Sequence, residues 1–85
     1  MLSDHSPIII IAPIGDERAL RSRLGSRLRS LRKERGLTMM VLAGRAQCSQ
    51  SLLSKVETGN LLPSLPMLQR LSRALGSDMS YFLEG

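Results

Sequence analysis

Ser49-Gln50-Ser51-Leu52-Leu53-Ser54-Lys55-Val56-Glu57-Thr58-Gly59 is the stretch on which the reading of this chain turns. Ser49 carries the short oxygen side chain that satisfies amides at a helix start, and Thr58-Gly59-Asn60 is a stop, so the spacing predicts a short helix from Gln50 to Glu57. At roughly 100° per residue, Leu52, Leu53 and Val56 share an arc of about 100°, while Gln50, Ser51, Ser54 and Lys55 share the opposite side. One face is built for burial and the other is left polar. Gln can make paired hydrogen bonds to an adenine edge, Lys can reach guanine acceptors or a phosphate, and Ser lets a helix approach a groove closely. A plain solvated surface helix has the same composition, so the flanking segments have to decide.

Working outward, Thr38 caps a second short helix through Ala46, and only Gln47 and Cys48 separate that helix from Ser49. Two helices joined by so short a turn, the second polar on one side, follow the helix-turn-helix plan. Upstream, Asp16 reads as the N-cap of a helix from Glu17 to Arg35, stopped by Gly36. Its Leu20, Leu24, Leu28 and Leu31 fall within about 80° of arc, and Arg23, Arg29 and Lys33 point away from that stripe. Gly25 weakens the middle of this helix by up to ~1 kcal/mol relative to Ala, so its first turns are expected to fray or to start later. Downstream of Leu61-Leu62-Pro63, Ser64 caps a helix to Leu75 with Pro66 in its first turn and Leu65, Leu68, Leu71 and Leu75 as its inner stripe. Gly76 ends it, and Asp78 caps a last short helix carrying Phe82 and Leu83. The expected fold is all-α, a compact five-helix bundle.

Glu57 lies at the border of an apolar stripe beside Leu53, and Arg32 lies beside Leu28 and Leu31. A half-buried carboxylate needs a cation, and arginine pairs with it in a two-bond fork, so an Arg32–Glu57 ion pair is expected.

The composition limits what such a bundle can do. Eighty-five residues, 42% of them hydrophobic but with one Tyr, one Phe and no Trp, make one small domain with an aliphatic core. A core of that size leaves about 3–5 kcal/mol of net stability, too little for a deep enclosed active site. The single Cys48 excludes an intrachain disulfide, and with the single His5 it cannot assemble a zinc site, so no metal and no cofactor is expected. No Ser-His, Cys-His or paired-carboxylate arrangement stands out, so no catalytic residue and no enzyme activity is expected. The charge of +5 points to an anionic partner, and it is localised: Arg18, Arg21, Arg23, Arg27, Arg29, Arg32, Lys33 and Arg35 fall in one segment. No apolar run approaches the ~20 residues of a membrane span, and nothing before Ile8 resembles a signal peptide, so no membrane partner is expected. Residues 1–15, punctuated by Pro7, Pro13 and Gly15, read as an arm, flexible or partner-binding, followed by the folded unit at 16–85. Ile8, Ile9, Ile10 and Ile11 could add to a partner as a strand.

From Leu24 to Leu83 the chain resembles the lambda-repressor-like helix-turn-helix domains, the Cro/repressor or XRE-type regulators. The strings that carry the resemblance are Leu24-Gly25-Ser26-Arg27-Leu28-Arg29-Ser30-Leu31-Arg32-Lys33-Glu34-Arg35-Gly36-Leu37-Thr38, Leu42-Ala43, the opening Ser49 to Gly59 stretch, Pro63-Ser64-Leu65 and Ala74-Leu75-Gly76. The resemblance implies that the third helix enters the major groove of double-stranded DNA, as half of a homodimer on a palindromic operator. It places base contacts on Gln50, Ser51 and Lys55 with Ser54 nearby, and phosphate contacts on Thr38, Ser49, Thr58 and Asn60. The family's buried ion pair falls on Arg32 and Glu57, and small Ala43 allows the two motif helices to cross closely. Three departures stand out. Gln47 occupies the family's turn glycine, Met39 replaces a glutamine that touches DNA backbone in many relatives, and Met40 and Val41 are apolar on a side that is usually polar.

The expected function is a cytoplasmic, sequence-specific DNA-binding transcriptional regulator, nucleoid-associated when on DNA, with room for an arm and one reading head but none for a sensor. The alternative is a repressor-fold protein-interaction module, an antitoxin or adapter with weak DNA binding. Its protein partner would sit on Met39, Met40 and Val41 or on the isoleucine run.

Overall fold

A proline costs least at the first position of a helix, where its fixed φ suits the turn and its missing N–H would have no partner. The computed structural model describes the backbone of residues 13–84 and the side chains of residues 16–84, and in it α1 runs unbroken over Pro13–Glu34 with that proline at its first described position. Asp16 is therefore not the N-cap; it lies in the first turn, where its charge suits the positive end of the helix dipole. The isoleucine run lies outside the described residues. Four more helices follow: α2 (Met39–Arg45), α3 (Gln50–Glu57), α4 (Leu65–Leu75) and α5 (Met79–Leu83). No strand occurs among the described residues.

Local chemistry sets most of these boundaries. Thr38, Ser49 and Ser64 each accept a hydrogen bond from the backbone N–H three residues on, at 3.1, 3.0 and 3.2 Å. Asp78 is the N-cap of α5 but makes no side-chain cap bond. Gly76 closes α4 at φ 69, in the left-handed region that a Cβ disfavours.

The core is aliphatic around one ring. Leu24, Leu28 and Leu31 of α1 meet Leu42, Ala43 and Ala46, Leu53 and Val56, and Met67, Leu68, Leu71 and Leu75, with Phe82 fully buried among them. One expected core position of α4 is corrected. Leu65 is 65% exposed and Met67 takes its place, because Leu65 opens the helix on its outer side; in α5 Phe82 is buried and Leu83, one residue on, is 44% exposed. Leu20 is only partly buried, and Arg23, expected to point outward, is partly buried with its Nε enclosed. Gly25 does not fray the helix. It is buried where α1 crosses the end of α3, and a Cβ there would stand 2.3 Å from the Val56 carbonyl oxygen and 2.8 Å from that of Glu57.

Arginines join the elements end to end. Arg21 Nε donates to the Gly59 carbonyl at 3.2 Å, Arg35 Nε to Leu75 at 2.9 Å and Arg70 Nε to Ala46 at 2.8 Å. Arg27 Nη1 donates to the backbone carbonyl of Tyr81 at 3.0 Å and also to that of Glu84, which closes the far end of α5. Such donors are strong because the guanidinium is always charged and presents a rigid fork.

Candidate nucleic-acid interface

The packing of α3 against α1 and α2 uses only one side of α3. Leu53, Val56 and Glu57 are buried, Leu52 is partly so, and Gln50, Ser51 and Lys55 are exposed, with Ser54 at the border. The polar face thus stands free as a continuous strip along an eight-residue helix.

Two helix starts flank it. At α2 the Thr38 oxygen is occupied by the Val41 N–H, and at α3 the Ser49 oxygen is occupied by the Leu52 N–H. Each hydroxyl keeps its hydrogen available to an acceptor, and the first amides of a helix have no intrahelical partner. Both starts therefore suit phosphate oxygens, with the positive dipole end behind them. The other end of α3 differs. The Thr58 hydroxyl donates to the carbonyls of Ser54 at 3.0 Å and Lys55 at 3.2 Å, and its oxygen accepts from Asn60 Nδ2 at 2.9 Å. Thr58 is thereby internally engaged, and Asn60 retains a second N–H and its carbonyl oxygen.

Arg32 and Glu57 hold this end of α3 to α1. Arg32 Nε donates to Glu57 Oε2 at 2.7 Å and Nη2 to Oε1 at 3.0 Å, a two-bond fork, while Nη1 donates to the Leu37 carbonyl at 2.9 Å. The side chains are 9% and 2% exposed, so the pair is more deeply enclosed than a border position suggests. It is structural and not available to a ligand.

The turn before α3 carries a strained residue. Gln47 has φ 58, the positive value that a glycine would adopt freely, and among the described residues no other non-glycine has a positive φ. Beside it Cys48 is partly buried; burial pushes its thiol above the ordinary value of 9.0 and the Arg70 cation draws it part of the way back. On α2, Met39 packs against the core and is not a free surface residue, whereas Met40 is 67% and Val41 39% exposed. The candidate partner surface thus shrinks to Met40 and Val41.

One residue of this region escaped the sequence reading. Arg29 lines a concavity of about 230 Å³ together with Arg32, Met39, Ser54, Glu57 and Thr58. Helical phase put Arg29 away from the core, but only the tertiary crossing of α1 and α3 brings it beside the polar face. No helix among the described residues is long and apolar enough to cross a membrane, and no group of three or more His, Cys, Asp or Glu there could hold a metal ion.

Residues 23–79 match the family described as "Helix-turn-helix domain". Over 63 residues the chain is 46% identical to the HTH-type transcriptional regulator DdrOP3 of Deinococcus deserti, covering 74% of this chain and 49% of that protein. Over 57 residues it is 40% identical to the immunity repressor protein of Bacillus phage phi105, covering 67% of this chain and 40% of that one. The chain thus spans half or less of these two curated relatives. Among solved structures, the clp gene regulator ClgR of Corynebacterium glutamicum superposes with a TM-score of 0.73 at 36% identity, covering 75% of this chain and 68% of that one. The restriction-modification controller protein C.AhdI of Aeromonas hydrophila gives a TM-score of 0.73 at 31% identity, covering 75% of this chain and 97% of that one. With the capped helix pair, its short turn and the buried Arg32–Glu57 fork already in view, this chain belongs to the lambda-repressor-like, XRE-type helix-turn-helix family of DNA-binding regulators.

Proposed function

We propose that the chain is the sequence-specific reading head of a transcriptional regulator, with α3 in the major groove. Gln50, Ser51 and Lys55 meet base edges with Ser54 beside them, and Thr38, Ser49 and Asn60 meet phosphates with Thr58 close by. The observation that carries this reading is the free polar strip of α3 flanked by two capped helix starts whose hydroxyl hydrogens remain available. A homodimer on a palindromic operator follows from the need to double a small recognition surface, and the exposed Leu62 and Leu65 supply apolar area for contact between copies. Such a regulator works in the cytoplasm, on the nucleoid.

Selection of bound duplexes from a random pool is the direct test, and an inverted repeat is the expected product. On the selected site, Gln50→Ala should narrow the affinity gap to random DNA by about 1–3 kcal/mol. A gap left unchanged would remove Gln50 from the base-reading set. A second reading, a protein-interaction module of antitoxin or adapter type, draws on the adjoining exposed Met40 and Val41. It requires tight protein binding with weak, sequence-indifferent DNA binding, and an enriched operator would refute it.

A further inference from the structure

The concavity between α1, the start of α2 and the end of α3 has a volume of about 230 Å³. A single water needs only about 10–15 Å³ of such space, so the hollow has room for a phosphate group with part of its hydration. Its walls can be sorted by which donors they have left. Arg32 spends Nε and Nη2 on Glu57 and Nη1 on the Leu37 carbonyl. Met39 has no donor and packs on the core. The Thr58 hydroxyl hydrogen is directed to the carbonyls of Ser54 and Lys55. Glu57 is acceptor-only, and its charge is met by Arg32. Arg29 remains: it is exposed, and none of the ion pairs or side-chain hydrogen bonds among the described residues engages it.

We infer that Arg29 holds a DNA backbone phosphate at the mouth of this concavity, supplying from α1 the charge-assisted donor that the committed Thr58 hydroxyl and the thioether of Met39 do not. The inference rests on the proposed reading of α3 as the groove helix, since that reading brings a DNA strand past Ser54 and Thr58. The two parts then divide the work. The Arg32–Glu57 fork fixes the end of α3 against α1, and Arg29, one helical turn before Arg32, faces the strand with its whole guanidinium uncommitted. An arginine in that position contributes affinity and register but no base preference.

Fluorescence anisotropy on a random-sequence duplex of about two helical turns tests this without knowledge of an operator. One phosphate contact contributes about 0.9 to the slope of log affinity against log salt, so between ~50 and ~200 mM salt the wild-type loss should be about 3.5-fold larger than that of Arg29→Gln. Arg29→Lys should keep most of the slope. Lys33→Gln removes the same charge from α1 and should keep the wild-type slope. The duplex selected under the proposed function, which fixes the register, gives the second readout with single methylphosphonate linkages: one position should weaken the wild type and leave Arg29→Gln unmoved. Because Arg29 has no internal partner among the described residues, Arg29→Gln should melt with the wild type, which separates binding from folding. Equal slopes for Arg29→Gln and Lys33→Gln, or no methylphosphonate position specific to Arg29, would overturn the assignment while leaving groove reading intact. Absence of salt-dependent binding by the wild type would overturn both.

Discussion

Gly25→Ala and Gly44→Ala are the same chemical change in two helices, and they should move stability in opposite directions. In isolation each gains about 1 kcal/mol, because alanine is the better helix former. At Gly25 the new methyl would stand 2.3 Å from the Val56 carbonyl oxygen, so reaching an ordinary 3.4 Å needs an opening of 3.4 − 2.3 = 1.1 Å, and the opposing atoms are backbone. A gap near 1 Å forfeits a quarter to a half of each dispersion contact along the seam, and the seam is formed by Leu24, Leu28, Leu53 and Val56. Overpacking against backbone costs about 3 kcal/mol, the upper end of the usual range, which leaves a net loss of about 2 kcal/mol after the helix gain. In a domain of this size that lowers the melting temperature by about 8–16 °C. Gly44 has nothing within 4 Å of the corresponding position, so Gly44→Ala should stabilise by ~0.5–1 kcal/mol. Urea unfolding followed by circular dichroism measures both. A Gly25→Ala protein as stable as its parent would show that α1 and α3 do not cross closely there.

Three further outcomes are expected. Glu57→Ala strands the Arg32 charge inside the fold and should cost about 3–5 kcal/mol, whereas Arg32→Met with Glu57→Leu should lie closer to wild type; a double variant as unstable as the single would assign the loss to packing and not to an uncompensated charge. Gln47→Gly relieves a left-handed residue at about 1–2 kcal/mol but frees the unfolded chain, for a net gain of ~0.5–1 kcal/mol, and a clear drop in melting temperature would reveal a contact made by the Gln47 side chain. Burial raises the Cys48 thiol above its ordinary 9.0, so the unfolded chain loses that proton first and stability should fall as pH rises from about 9 towards the folded value. Cys48→Ala lacks that proton and should fall less across the same window, and parallel curves would remove Cys48 from the account.

What was legible in the sequence follows the range of the interactions concerned. Thr38, Ser49 and Ser64 announce helix starts because a cap is a bond between a side chain and an amide three residues on. Arg32 and Glu57 could be matched from a distance because two charges at stripe borders need each other. Asp16 misled because an aspartate is favoured both at a cap and inside the first turn, where its charge suits the helix dipole, and here it lies inside. Leu65 misled because helical phase cannot tell which of Leu65 and Met67 faces inward until α4 has a neighbour. Gly25 reads as a weak point by propensity and becomes a contact surface only when α3 lies across it. Arg29 was legible as charge and not as place, since its neighbours Ser54 and Thr58 are remote in the chain.

The arginines that donate to carbonyls of other elements change what a basic composition means here. Arg21, Arg27, Arg35 and Arg70 each finish a turn or a helix end remote in sequence from their own, and Arg32 closes the turn that follows its own helix. With no disulfide and one buried ring among the described residues, this small fold is stitched by guanidinium forks. Lysine would preserve the attraction for an anion at those sites and lose the stitch. A relative with the same isoelectric point but lysines in those places would keep its net charge and lose these fixed contacts between elements, so net charge and the ties between helices can evolve separately in this scaffold.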